Sequence, residues 1–205
     1  MPVAHAPAAI GTPSAWVARF ARLAPAGEVL DLACGSGRHA RLFASLGHPV
    51  LAVDRDAAAL DRLAAFGDPG LRTLQIDLEP VTPAVAGLQQ GSAFWPFPAS
   101  CFAAIVVTNY LYRPTLAALA GSLAPGGVLI YETFARGNER FGKPSNPDYL
   151  LAPGELLQCA LQATLPLQIV AFEDGYVDLP APAMVQRLCA TRQADRAFVT
   201  AWPPL

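Results

Sequence analysis

The sequence is short of the residues that build metal centres and disulfide frameworks. Its 205 residues include four cysteines and three histidines. Cys34, Cys101, Cys159 and Cys189 stand far apart, with no C-x-x-C pair, so neither a zinc site nor a disulfide frame is expected. They read as reduced, mostly buried thiols of a cytoplasmic protein. Charge is scarce as well. Acidic and basic residues make up 15% of the chain and the formal net charge is −2. That balance supplies no electrostatic footprint for a phosphate backbone, so a nucleic-acid partner is not expected. Long apolar runs are missing too. The longest, Phe102 to Val107, falls far short of the ~20 residues a helix needs to cross a bilayer, and no membrane partner is expected. The first residues, "MPVAHAPAAIG", lack the basic start and sustained apolar centre of a secretory signal.

What the chain has in quantity is apolar surface, 53% of its residues, enough for a sizeable core. Residues 1–11 read as a flexible tail and 12–205 as one domain. "TPSAWVARFARLA" reads as an amphipathic helix with Thr12 as N-cap and Pro13 in the first turn. Trp16, Phe20 and Leu23 fall on its apolar face. Strand and helix patterns then alternate. "EVLDLA", "PVLAVD", "LRTLQIDL", "CFAAIVVTN" and "GGVLIYETF" are strands. "RHARLFASLG", "DAAALDRLAAFG" and "TLAALAGSL" are helices, with Gly47 and Gly67 as stops and Asp56 as a cap. Apolar strands in this alternation imply an α/β protein, a mostly parallel open sheet with helices on both faces. After a last helix in "PGELLQCALQ", the strands "LQIVAFEDGYV" and "AMVQRLCAT" follow with no helix between them, and Asp174-Gly175 reads as their turn. They must be antiparallel, giving seven strands with one reversed near the C-terminal edge.

The segment "DLACGSGRHA" carries a G-x-G-x-x-A loop between the first strand and its helix. Such a loop suits a dinucleotide, but Asp31 stands just before the glycines. At about 5 Å and an effective dielectric near 20, a carboxylate repels each phosphate charge by roughly 3 kcal/mol. A ligand with a positive end and no phosphate fits better, and S-adenosylmethionine (SAM) is such a ligand. The alternative is a strand-end carboxylate turned to water. Asp54 ends the second strand, where a carboxylate accepts ribose hydroxyls in both dinucleotide and SAM folds. Asp77 ends the third, placed to accept an adenine amine, with Leu78 giving apolar contact. Three strand-end aspartates lie along one edge of a parallel sheet, the edge where ligands bind.

Together with "LAPGGVLIYETF", these motifs resemble those of the class I SAM-dependent methyltransferases. The layout of "CGSGRHA", "YLLAPGELL" and "FEDG" is similar to the small tellurite-resistance-type members. The resemblance spans Thr12 to Arg192. It implies a Rossmann-like fold and SAM as cofactor. It places Asp31, Gly35 and Gly37 at the methionine end, Asp54 at the ribose, and Asp77 with Leu78 at the adenine. Two departures stand out. Phe102-Ala103 replaces a Phe-Asp pair, and "TNYLYR" replaces the N/D-P-P-Y signature of adenine and glutamine amino methylases.

The end of the fourth strand offers Asn109 toward the cofactor, and Tyr110 and Tyr112 toward an acceptor, with core stacking the alternative for Tyr110. The stretch 132–151 leaves the same sheet edge and gathers Arg136, Arg140 and Lys143 with Phe141 and Tyr149. It reads as a substrate loop or lid, against an ordinary solvated loop. Tyr110, Glu132 and His39 are the candidates for a catalytic base. His39 sits at a helix start that disfavours its charged form, which points to structure or capping. No metal is expected. The expected activity is methyl transfer from SAM to a small-molecule acceptor. An RNA or protein acceptor, a non-enzymatic SAM-fold partner protein, and an NAD(P)-dependent oxidoreductase are the alternatives.

Overall fold

The computed structural model describes residues 11–79, 95–165 and 167–194. Ten of the eleven residues expected to form the tail lie outside them, as do residues 80–94 ahead of the fourth strand. Seven strands form one sheet: β1 (Val29–Leu32), β2 (Val50–Asp54), β3 (Leu71–Gln75), β4 (Phe102–Thr108), β5 (Leu123–Phe134), β6 (Leu167–Val177) and β7 (Ala183–Arg192). Their spatial order is β3-β2-β1-β4-β5-β7-β6. Strands β1 to β5 are parallel, and β7 runs antiparallel to both its neighbours, β5 and β6. The expected Rossmann-like sheet with a single reversed strand is therefore present.

Period-two alternation divides the sheet into two cores. Val29, Ala104, Val106, Val128 and Ile130 face one side, with residues of α1 (Ala15–Phe20), α2 (Arg38–Ser45) and α3 (Ala57–Ala64). Leu30, Leu32, Ile105, Val107, Leu129 and Tyr131 face the other, with residues of α4 (Arg113–Ser122) and α5 (Glu155–Leu161). Central strands buried on both faces explain why their sequences are continuous apolar runs. Asp31 shares the parity of Val29, so its side chain starts on the face that α2 covers.

Three local expectations shift. The N-cap of α1 is Ser14, whose Oγ accepts from the Trp16 amide at 3.2 Å, and not Thr12. The helix then tightens into a 3-10 turn over Ala21–Leu23, which rotates Leu23 off the apolar stripe; it is 41% exposed. Asp174-Gly175 is no turn. It lies within β6, paired with Gln186 and Val185, and the Asp174 carboxylate accepts from the Gly154 amide at 2.8 Å. The hairpin connection is instead Asp178 to Pro182, "DLPAP". Because β6 runs with the parallel strands, this connection sits at their carboxyl edge.

Candidate functional site

The carboxyl edge of the sheet holds three neighbouring cavities that all border Asn109. One, about 250 Å³, is bounded by Asp54, Asp77, Leu78 and Tyr110. A second of about 260 Å³ borders Tyr110, Phe134 and Tyr149. The third is a chamber of about 650 Å³. Its walls come from Thr12 to Ala15, from Arg38, from the loop after β5 and from the β6–β7 hairpin. Asn109 leaves the end of β4 with φ +54°, a left-handed value uncommon for a residue other than glycine. Its amide donates to the Glu132 carbonyl at 2.9 Å, which fixes this turn against β5.

Asp54 organises the smaller cavity. One carboxylate oxygen accepts from the Gly35 amide at 2.7 Å and the other from the Asp56 amide at 2.9 Å. The end of β2 thus grips the glycine loop, and each oxygen keeps lone pairs for further donors. Asp77 is exposed at the rim and turns its own loop by accepting from the Glu79 amide at 2.9 Å. Leu78 is buried as an apolar floor. Tyr110 lines the cavity wall. Burial, then the nearby carboxylates Glu79 and Asp77, push its hydroxyl well above the usual tyrosine range, so at neutral pH it is a neutral hydrogen-bonding group.

The two glycines have different tasks. A Cβ on Gly35 would meet open space, and φ is +53°. This position gives the backbone free approach to whatever fills the edge. A Cβ on Gly37 would lie 2.4 Å from Leu63 Cδ2, with φ +75°. Gly37 is therefore needed for α2 to pack against α3, and it does not line a cavity.

Asp31 does not line a cavity either. Its parity carries it beneath α2, where one oxygen accepts from the Ala40 amide at 2.8 Å and it is 1% exposed. The other oxygen, Oδ1, is buried with no hydrogen-bond partner. Burial, only partly opposed by the Ala40 hydrogen bond and the Arg38 charge, pushes its pKa up to about 7. That shift reflects a carboxylate held beneath α2 without full compensation. It also has a stability consequence. The folded state holds this proton more tightly than the unfolded chain, so stability is full at low pH and declines as pH rises from the ordinary aspartate range through about 7. Asp31→Asn is expected to abolish that decline and to be about 2 kcal/mol more stable than the parent at pH 8 in urea unfolding. A steeper decline in the variant would contradict the assignment.

His39 is buried with both ring nitrogens placed against partners. Nε2 accepts from the Ser14 amide at 3.1 Å, and Nδ1 lies 3.4 Å from Thr108 Oγ1. Burial, then the Arg38 charge, lowers its pKa to about 3. It pins the N-terminal segment to α2 and is not placed to take a substrate proton. Glu132 does border the chamber, but Arg187 Nε donates to it at 2.6 Å, and the guanidinium also pairs with Glu173 at 3.2 Å. The three are register partners across β5, β7 and β6.

Of the acceptor-side candidates, Phe141 lies on the chamber wall and Tyr149 on the second cavity. Tyr112 instead occupies the N-cap position of α4. Arg136 and Arg140 are exposed and line none of the three cavities. The Arg136 amide ties the loop to Leu151. Sequence reasoning missed Thr12 to Ala15, Arg38, Arg187 and the hairpin as chamber walls. The signal for the last was present in "DLPAP", whose prolines cannot extend a ladder. Among the described residues no cluster of histidine, cysteine and acidic side chains could hold a metal, and no helix is long and apolar enough to cross a membrane.

Comparison with known proteins follows the same lines. Residues 30–131 match the model of a methyltransferase domain. The fold is similar to TehB from Haemophilus influenzae, with TM-score 0.65 and 16% identity over 86% of this chain; the chain spans 61% of that protein's length. A TehB-like SAM-dependent methyltransferase from Corynebacterium glutamicum gives TM-score 0.56 and 20% identity, covering 87% of both chains. The [4+2]-cyclase SpnF gives TM-score 0.64 and 15% identity over 87% of this chain and 80% of that one. No curated protein matches the sequence.

Proposed function

We propose that this chain is a class I SAM-dependent methyltransferase and transfers the SAM methyl group to a small molecule held in the 650 Å³ chamber. The observation that carries this reading is Asn109. It borders both the cavity edged by Asp54, Asp77 and Leu78 and the larger chamber. Adenosine in the first cavity would place its ribose hydroxyls against Asp54 and its adenine between Asp77 and Leu78. The residues suit that cofactor: Asp54 has spare acceptor capacity and Gly35 leaves room for close approach. When bound, SAM supplies an electrophilic methyl group on a sulfonium.

The chain's own contribution is alignment and exclusion of water. Holding two reactants in line can lower a barrier by about 7–11 kcal/mol in favourable cases. A soft nucleophile then needs no strong base, which agrees with the state of the three candidate bases. His39 is buried against partners, Glu132 is ion-paired and Tyr110 keeps its proton. A concave chamber of this size suits a small molecule better than a folded RNA or protein. Calorimetry with S-adenosylhomocysteine (SAH) should show stoichiometric binding, and NADH none. Binding of NADH with none of SAH would overturn the reading.

A further inference from the structure

We propose that the acceptor is a small organic anion, an apolar body carrying a carboxylate or similar group, with Lys143 as its anchor. This deepens the methyl-transfer reading and rests on it for the identity of the reaction.

Size comes first. A chamber of about 650 Å³ lies within the range of sites for drug-sized ligands and is far larger than a bare oxyanion needs. The wall chemistry comes second. Phe134, Phe141, Val177, Leu179 and Val185 face the space. Phe141 is 44% exposed and Leu179 77%, so both present apolar surface at the mouth. The Phe141 ring packs at 5.3 Å on Tyr176, which steadies it as a side wall. A purely polar occupant would leave this surface uncovered.

Charge decides the rest. Among the described residues, four charged side chains border the chamber: Arg38, Glu132, Lys143 and Arg187. Glu132 and Arg187 satisfy each other at 2.6 Å. Arg38 opens α2 directly after the glycine loop, and its charge is felt by the buried Asp31. Arg38 Nη1 donates to the Thr12 carbonyl at 3.5 Å, which ties it to the N-terminal wall. Lys143 forms no ion pair among the described residues. It stands beside Phe141 on the same loop, so one wall offers an aromatic face and an uncommitted ammonium together. An apolar acceptor with an anionic group uses both, whereas a cationic amine would meet repulsion there.

The test is calorimetry at low ionic strength, with and without saturating SAH. The probes are naphthoate, phenylbutyrate and decanoate, each paired with its neutral amide, and selenite as a bare oxyanion. At least one carboxylate is expected to bind about tenfold more tightly than its amide, a difference of about 1.4 kcal/mol. Lys143→Ala should erase that preference. Phe141→Ala should weaken both members of a pair alike. Three results would overturn the proposal: amides matching carboxylates throughout, a preference that survives Lys143→Ala, or Lys143-dependent binding of selenite alone. SAH binding is read on the same samples. Its loss would sink methyl transfer, while the carboxylate preference with and without SAH stands or fails by its own result.

Discussion

Gly37→Ala should cost about 3 kcal/mol of stability, a large fraction of the roughly 5–15 kcal/mol by which domains are stable. Two terms contribute. A residue with a Cβ pays roughly 1–2 kcal/mol to hold a left-handed backbone, here at φ +75°. The new methyl would also sit 2.4 Å from the Leu63 side chain, which is only 2% exposed and has little room to yield. Overpacking of that kind costs typically 1–3 kcal/mol. The two sites are in contact, so their effects should couple. In a double-mutant cycle, Gly37→Ala with Leu63→Ala should be less destabilised than the sum of the singles by about 1 kcal/mol. Chemical denaturation of the four proteins measures it. Simple additivity would mean that the clash is absent and that only backbone strain operates. Gly35→Ala is the contrast: with no neighbour within 4 Å of its Cβ, it should lose only the backbone term.

Asp54→Ala should lower SAH affinity about 100-fold, roughly 2.7 kcal/mol. The side chain has two duties that the substitution removes at once. It is the acceptor facing the cavity assigned to the ribose, and it ties the Gly35 and Asp56 amides to the end of β2. A hydrogen bond to a charged group contributes about 1.5–3 kcal/mol, so losing the ligand contact alone gives most of the effect. Asp54→Asn keeps one oxygen acceptor and should fall between, near tenfold. Titration calorimetry at a fixed salt concentration separates the three proteins. An Asp54→Ala variant that binds SAH as the parent does would remove the ribose assignment.

Which of these positions could be read in the sequence follows from their physics. Strand ends in a parallel sheet share one edge, so aspartates closing successive strands were visible as a group. The direction of Asp31 was not. Placing it at the strand end ignored its parity with Val29, which sends it under α2 toward the Ala40 amide. The turn between β6 and β7 was misplaced because Asp-Gly is a strong turn signal in isolation. Here the β7 register and the Gly154 amide engage that segment instead. The N-terminal wall of the chamber depends on a contact between Ser14 and His39, 25 residues apart, which no local pattern encodes. In the 132–151 stretch the sequence showed a concentration of positive charge. Only the fold separates Lys143, on the chamber, from Arg136 and Arg140, which face solvent. The Glu132–Arg187–Glu173 row was hidden for a similar reason, since it exists only once three strands are in register.

In the proposed reaction, SAM in the smaller cavity presents its methyl group to the chamber at Asn109. A crystal structure with SAH bound tests it most directly. The account predicts ribose hydroxyls on Asp54, adenine beside Asp77 and Leu78, and the sulfur at Asn109 facing the chamber that holds Phe141 and Lys143. SAH seated elsewhere, or with its sulfur turned away from that chamber, would contradict it.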